Sequence, residues 1–200
     1  MCGTLDLFKA YLDAKQREFG TAQERIAAAE RTHLSLSSMK GNFVEIGYGE
    51  SALIKYPDKR FVLAKAIDYD LLISIYDVNS FSLFALRATR QIDMRKTLYE
   101  FLKKLRNPNL EIRAIGMQNL KEGYGNDLLI NIEQAYTVLK PKAKLVEVDL
   151  FGNETRHIAI DAKTGASVDV LLYDRFYKPG ELNTQTSLEQ FKNITAQAKA

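Results

Sequence analysis

The sequence predicts an α+β domain: an N-terminal helical pair, an antiparallel β-meander, then a mixed helix/strand half ending in a hairpin and a helix, with one sheet covered by helices. Three observations predict it. The first 33 residues and residues 91–106 carry apolar side chains at helical spacing. Five short runs rich in Val, Ile, Leu, Phe and Tyr follow one another between residues 43 and 87, parted by turn formers. Beyond residue 90, helical and strand patterns alternate.

Taken in order, Leu5, Phe8, Leu12 and Phe19 share one helix face, and Gly20 is a stop. Thr21 and Glu24 form a capping box, which starts a second, alanine-rich helix running to about His33. Residues 1–40 are thus expected as a helical segment packed on a single domain of 1–200. The runs Phe43–Tyr48, Ser51–Tyr56, Arg60–Ile67, Leu71–Tyr76 and Phe81–Arg87 read as strands, with Leu53, Phe61, Leu63 and Ile67 on one buried face. Leu98, Phe101, Leu102 and Leu105 form the apolar stripe of a helix over Gln91–Arg106, ended by Pro108. A strand at Leu110–Met117 leads through a loop with Gly123 and Gly125 to a helix capped by Asn126 and running from Asp127 to Leu139. Leu145–Phe151 is the next strand. Arg156–Ala162 and Ser167–Tyr177 form a hairpin about Gly165, and Thr186 with Glu189 opens a last helix.

Composition excludes several classes. Of 200 residues, 46% are apolar and 26% charged, so a packed core is available without disulfides. Net charge is +3, too mild to point to nucleic acid. One cysteine, Cys2, and two distant histidines, His33 and His157, give no thiolate metal site. No leader and no membrane span is legible, so the expectation is a cytoplasmic protein, or one exported without a cleaved signal.

Few motifs point to chemistry. Cys2-Gly3 resembles the opening of class II glutamine amidotransferases, where a terminal amine activates the thiol, but the helical pattern of Leu5, Phe8 and Leu12 departs from that family. Gly123-Tyr124-Gly125-Asn126-Asp127-Leu128-Leu129 resembles the cofactor loop of acyl-CoA-dependent N-acetyltransferases: strand, Gly-x-Gly turn, then a helix whose free N–H groups hold pyrophosphate. The resemblance covers about forty residues and implies that Gly123, Gly125 and Asn126 bind acetyl-CoA. Leu120 stands where that family has Arg or Gln. Glu147 and Asp149, two apart on a strand, share a face, as acid–base or Mg²⁺ carboxylates would.

Arg87, Arg90, Arg95, Lys96, Lys103, Lys104 and Arg106 make the 91–106 helix and its approach basic. Tyr173, Arg175 and Tyr177 bunch Tyr and Arg, the residues protein interfaces enrich. The leading expectation is a non-enzymatic protein-binding adaptor, or an accessory subunit of a multi-protein or secretion-related assembly. It would use no cofactor and would meet a partner's acidic or amphipathic segment through Arg95, Lys96, Lys103, Lys104, Tyr173, Arg175 and Tyr177. The alternative is the acyl-CoA-dependent transferase.

Overall fold

The computed structural model describes residues 32–117, 125–139, 142–150 and 155–172. Among these the chain is mostly β. The strands are β1 (His33–Ser35), β2 (Phe43–Glu45), β3 (Ser51–Lys55), β4 (Phe61–Ile67), β5 (Leu71–Asp77), β6 (Ser82–Ala88), β7 (Leu110–Gly116), β8 (Ala143–Leu150), β9 (Arg156–Asp161) and β10 (Ser167–Leu171). The helices are α1 (Met94–Leu102) and α2 (Gly125–Leu139), with one 3-10 turn at Ser37–Met39. None of these helices is long and apolar enough to cross a membrane.

Two five-stranded sheets form, where the sequence predicted one. The first runs β1-β10-β9-β4-β2 and the second β3-β6-β5-β7-β8. Both are mixed: β1–β10, β2–β4 and β7–β8 pair in parallel. They stack around Val62, Ala64, Ile158 and Ile160 of the first sheet and Leu72, Leu83, Ala85 and Ile115 of the second. The opposite face of the second sheet, with Leu71, Ile73, Ile112 and Ala114, packs on Met94, Leu98 and Phe101 of α1 and Leu128, Ile132 and Ala135 of α2. The layers are therefore helices, sheet, sheet.

The expected meander fails in its pairing, although each run is a strand. Of the five runs only β5 and β6 pair with their sequence neighbour, while β2 and β4 belong to one sheet and β3, β5 and β6 to the other. The reason lies in burial. All seven residues of β5 are buried, Ser74 and Asp77 included, so both of its faces need cover and the strand sits between two layers. The turn Gly47–Glu50, closed by Glu50 N–H to Gly47 O at 3.1 Å, carries the chain from one sheet to the other. The second expected helix was to reach His33, yet His33–Ser35 is β1, beside β10. The rest of the expected helical pair, and the last helix, lie outside the described residues. The C-terminal hairpin forms as expected through residue 172, with Ser167 opposite Ile160 and Gly165 at φ +75°.

A bulge separates the residues expected on one face. The register shifts between Ala64 and Ile67, and Ala66 sits at φ +52°. An extra residue reverses the alternation, so Phe61 and Leu63 point to the far face of the first sheet, buried with Met39, Val168 and Val170, while Ile67 faces the second sheet.

Arg87 reaches across from β6 and holds this bulge. Its Nη1 donates to Lys65 O at 2.6 Å and its Nη2 to Ala66 O at 2.7 Å, while its Nε and Nη2 engage the Asp70 carboxylate. Arg87 is 4% exposed and Asp70 1%. Asp70 Oδ1 also accepts from Asp68 N–H at 3.1 Å, and Asp70 O accepts from Met117 N–H at 2.7 Å. Gly116 passes so close that an added Cβ would lie 2.4 Å from Asp70 O, at φ +131°. Removing one member of a buried pair strands the other's charge. Asp70→Asn is therefore expected to cost about 3–5 kcal/mol, read as a lower denaturation midpoint; a change below about 1 kcal/mol would show that the pair does not hold the corner.

Candidate functional site

Helix α1 is built by its own sequence. Asp93 caps it, accepting from Lys96 N–H at 3.1 Å, and Thr97 Oγ1 donates to Asp93 O at 2.8 Å. Met94, Leu98 and Phe101 recur at i, i+4 and i+7 and are buried. That spacing sends Arg95, Lys96, Tyr99 and Glu100 to the opposite, exposed face. The helix is shorter than the expected 91–106. Ile92 N–H is taken by a side chain of α2, and at the other end Lys104 and Leu105 bond three residues back before Asn107 turns left-handed at φ +48°.

Tyr99 stands 54% exposed in the middle of this basic face. The Lys103 ammonium lies 3.9 Å from its ring centroid and 3.4 Å from Glu100 Oε1. Lys104 is exposed beside it. The four basic residues expected on this helix thus share solvent access. Arg87, counted with them in the sequence, is instead the buried anchor of the bulge. Sequence reasoning missed Tyr99; its place four residues after Arg95 and four before Lys103 was the available signal.

Helix α2 lies against the start of α1 and is tied to it by Asn131. This residue is fully buried; its Oδ1 accepts from Ile92 N–H at 2.7 Å and its Nδ2 donates to Arg90 O at 2.8 Å. Gln134 Oε1 accepts from Met94 N–H at 3.4 Å. Between the helices opens a cleft of about 690 Å³, lined by Ile92, Arg95, Ile130, Glu133, Gln134 and Val138, among others. The charged groups that line it are Asp93 and Arg95 on the α1 side and Glu133 on α2. Residues 95–106 carry five basic side chains against Glu100, whereas 125–139 carry Asp127 and Glu133 and no Lys or Arg.

Gly125 and Asn126 are the first two residues of α2, so the helix starts two residues before the expected Asp127. Helix α2 joins the parallel strands β7 and β8. Gly123, Tyr173, Arg175 and Tyr177 lie outside the described residues. Glu147 and Asp149 face the other sheet rather than solvent: Ser167 Oγ donates to Glu147 at 2.8 Å and 2.9 Å, Arg113 Nε stands 3.5 Å from it, and Arg156 pairs with Asp149. Their face is shared, as expected, but it joins β8 to β9 and β10. Among the described residues no three His, Cys, Asp or Glu side chains are grouped to hold a metal.

His157 on β9 belongs to the bulge. Its Nδ1 accepts from Ala66 N–H at 3.0 Å. Burial, then the Lys65 and Arg87 cations, hold its pKa below the ordinary imidazole value. No protein-family model matches the chain, and no curated protein matches it significantly.

Because the folded pKa is lowered, the unfolded chain binds the extra proton first. Stability is then complete above the ordinary imidazole pKa of 6.5 and falls as pH drops below it. Melting temperature followed from pH 7.5 to 5 should decline in the wild type more steeply than in His157→Asn, whose amide oxygen can still accept from Ala66 without titrating. Equal slopes would remove His157 from that role.

Proposed function

We propose that this chain is a non-enzymatic binding protein, an adaptor or accessory subunit, whose α1 face receives an acidic segment of another protein. The observation that carries the reading is Tyr99, more than half exposed between Arg95, Lys96 and Lys103. Tyr and Arg dominate the energetics of protein interfaces, because they bring a large rigid surface or a planar fork of donors at modest entropic cost. An exposed ring framed by cations fits an acidic segment that also offers an apolar side chain. The cations draw it in and fix its register, and the ring provides the area to be buried.

Quantitative co-purification from native lysate tests this. Lys103→Glu with Lys104→Glu should reduce recovery of a stoichiometric partner about tenfold, with a further loss in Tyr99→Ala. Both Lys side chains are exposed, so stability should move by less than about 1 kcal/mol. Unchanged recovery would clear α1 of this role.

A second reading, the acyl-CoA-dependent transferase, is favoured by one observation: β7 leads to α2 and α2 to the parallel strand β8, with Gly125 and Asn126 opening the helix. That reading requires acetyl-CoA to raise the melting temperature, and Gly125→Asp to abolish the rise. Under the binding-protein reading acetyl-CoA leaves the melting temperature where it was.

A further inference from the structure

We infer that one end of the molecule docks on an anionic membrane surface, with Phe81 entering the headgroup layer and cations on both sides of it meeting the lipid charges. This goes beyond the reading of α1 and does not rest on it.

Topology gathers the surface. Lys55 closes β3 opposite Ser82, which opens β6, and Asp77 closes β5 opposite Leu110, which opens β7. Leu110 pairs with Ala143 at the start of β8, and Phe61 opens β4 opposite Asp161, which closes β9. The connections β3–β4, β5–β6, α1–β7, α2–β8 and β9–β10 therefore meet at one end. Exposed there are Lys55, Lys59, Lys104, Arg106, Lys142 and Lys163. Among the described residues of these connections, Asp58 is the one exposed acid. Lys103 is already engaged by Glu100. At the other end, the connections 46–50, 68–70 and 89–93 carry Glu50, Asp68, Asp70 and Asp93 against Arg90. A net charge of +3 thus conceals a polarity between the two ends.

Phe81 gives this basic end an apolar tip. It stands 45% exposed at φ +54°, a left-handed backbone that a bulky residue rarely adopts. Its connection is held from beneath: fully buried Asp77 accepts from Asn79 N–H at 3.3 Å and from Asn109 N–H at 3.0 Å. Phe81 O accepts from Tyr56 N–H at 3.0 Å, and Asn79 Nδ2 donates to Asn107 O at 2.8 Å. The connection that carries the ring is therefore bonded on one side to the segment with Lys59 and on the other to the segment with Lys104 and Arg106. An apolar ring held outward between cations suits a bilayer interface, where the ring enters and the ammonium groups stay with the headgroups.

Breadth favours a surface over a strand of nucleic acid. Five strands about 4.8 Å apart and three layers about 10 Å apart make this end roughly 20 Å each way. The cations stand in connections of both sheets and after both helices, so one strand of nucleic acid would reach a single row of them. Lys supplies five of the six, as hydrated point charges, whereas recognition of phosphates and bases favours the planar fork of Arg.

The test is co-sedimentation of the full chain with vesicles of phosphatidylcholine, alone or with about one-third phosphatidylserine. Binding should appear only with phosphatidylserine and weaken as salt is raised. At about fivefold per cation, Lys55→Gln, Lys59→Gln and Lys163→Gln together should weaken it about a hundredfold. Phe81→Asn should weaken it about tenfold through the lost apolar ring. Asn accepts a left-handed backbone, and melting temperatures check that each variant folds. Tyr99→Ala, which reports the α1 face, should bind vesicles as the wild type does. No binding to the mixed vesicles, or binding that the triple lysine variant or Phe81→Asn leaves unchanged, overturns the inference. So does a tenfold loss in Tyr99→Ala, which would place the membrane on α1. Tighter binding of single-stranded RNA or duplex DNA at the same salt, with the same lysine dependence, would assign this end to nucleic acid and overturn it as well.

Discussion

The Asp70–Arg87 pair is the constraint on which the two-sheet arrangement turns. Arg87 stands on the second sheet, and the carbonyls it binds, Lys65 O and Ala66 O, belong to the first. Asp70 lies in the short connection by which the chain crosses from β4 to β5. One guanidinium thus spans both layers at the point where the backbone changes sheets. All three guanidinium nitrogens of Arg87 have an acceptor, which compensates the buried charge. The bulge, the close passage of Gly116 and the bond from Met117 are all arranged about that one contact. Outside, the Tyr48 ring covers the guanidinium, 4.0 Å from its centroid.

The sequence made the strands legible and hid their partners. Alternation and turn residues mark where a segment is extended, and β2 to β6 fall close to the predicted runs. Pairing depends on which faces must be covered, and that is a property of the whole chain. Leu53, Phe61, Leu63 and Ile67 look alike as apolar residues at near-even spacing. Ile67 parts from Phe61 and Leu63 because Ala66 adds one residue and shifts the parity after it, while Leu53 lies in the other sheet. His33 was drawn into the preceding helical pattern because a three-residue strand is too short to show alternation. Its extended form comes from the parallel pairing with β10, far along the chain.

The site shows the same division. The exposed side of α1 could be read directly, because Asp93, Leu98 and Phe101 set the cap and the apolar stripe, and Arg95, Lys96, Lys103 and Lys104 follow by spacing. What could not be read is what the basic residues meet. Arg87 was indistinguishable from Arg95 in composition, yet one is an internal bolt and the other faces water. Asn131 gave no signal of its own. Its role appears only when α2 is laid across the start of α1.

The first sheet has a consequence for the nascent chain. His33 pairs with Asp169, and Phe61 with Asp161, so β1 and β4 wait for partners made about a hundred or more residues later. All five strands of the second sheet, by contrast, lie between Ser51 and Leu150. A ribosome that has released residue 150 has therefore exposed a sheet whose inner side, Leu72, Leu83, Ala85 and Ile115, still lacks Ile158 and Ile160 of β9 to lie against. Until synthesis supplies β9, the half-made molecule carries a sticky apolar surface of the kind that chaperones shield.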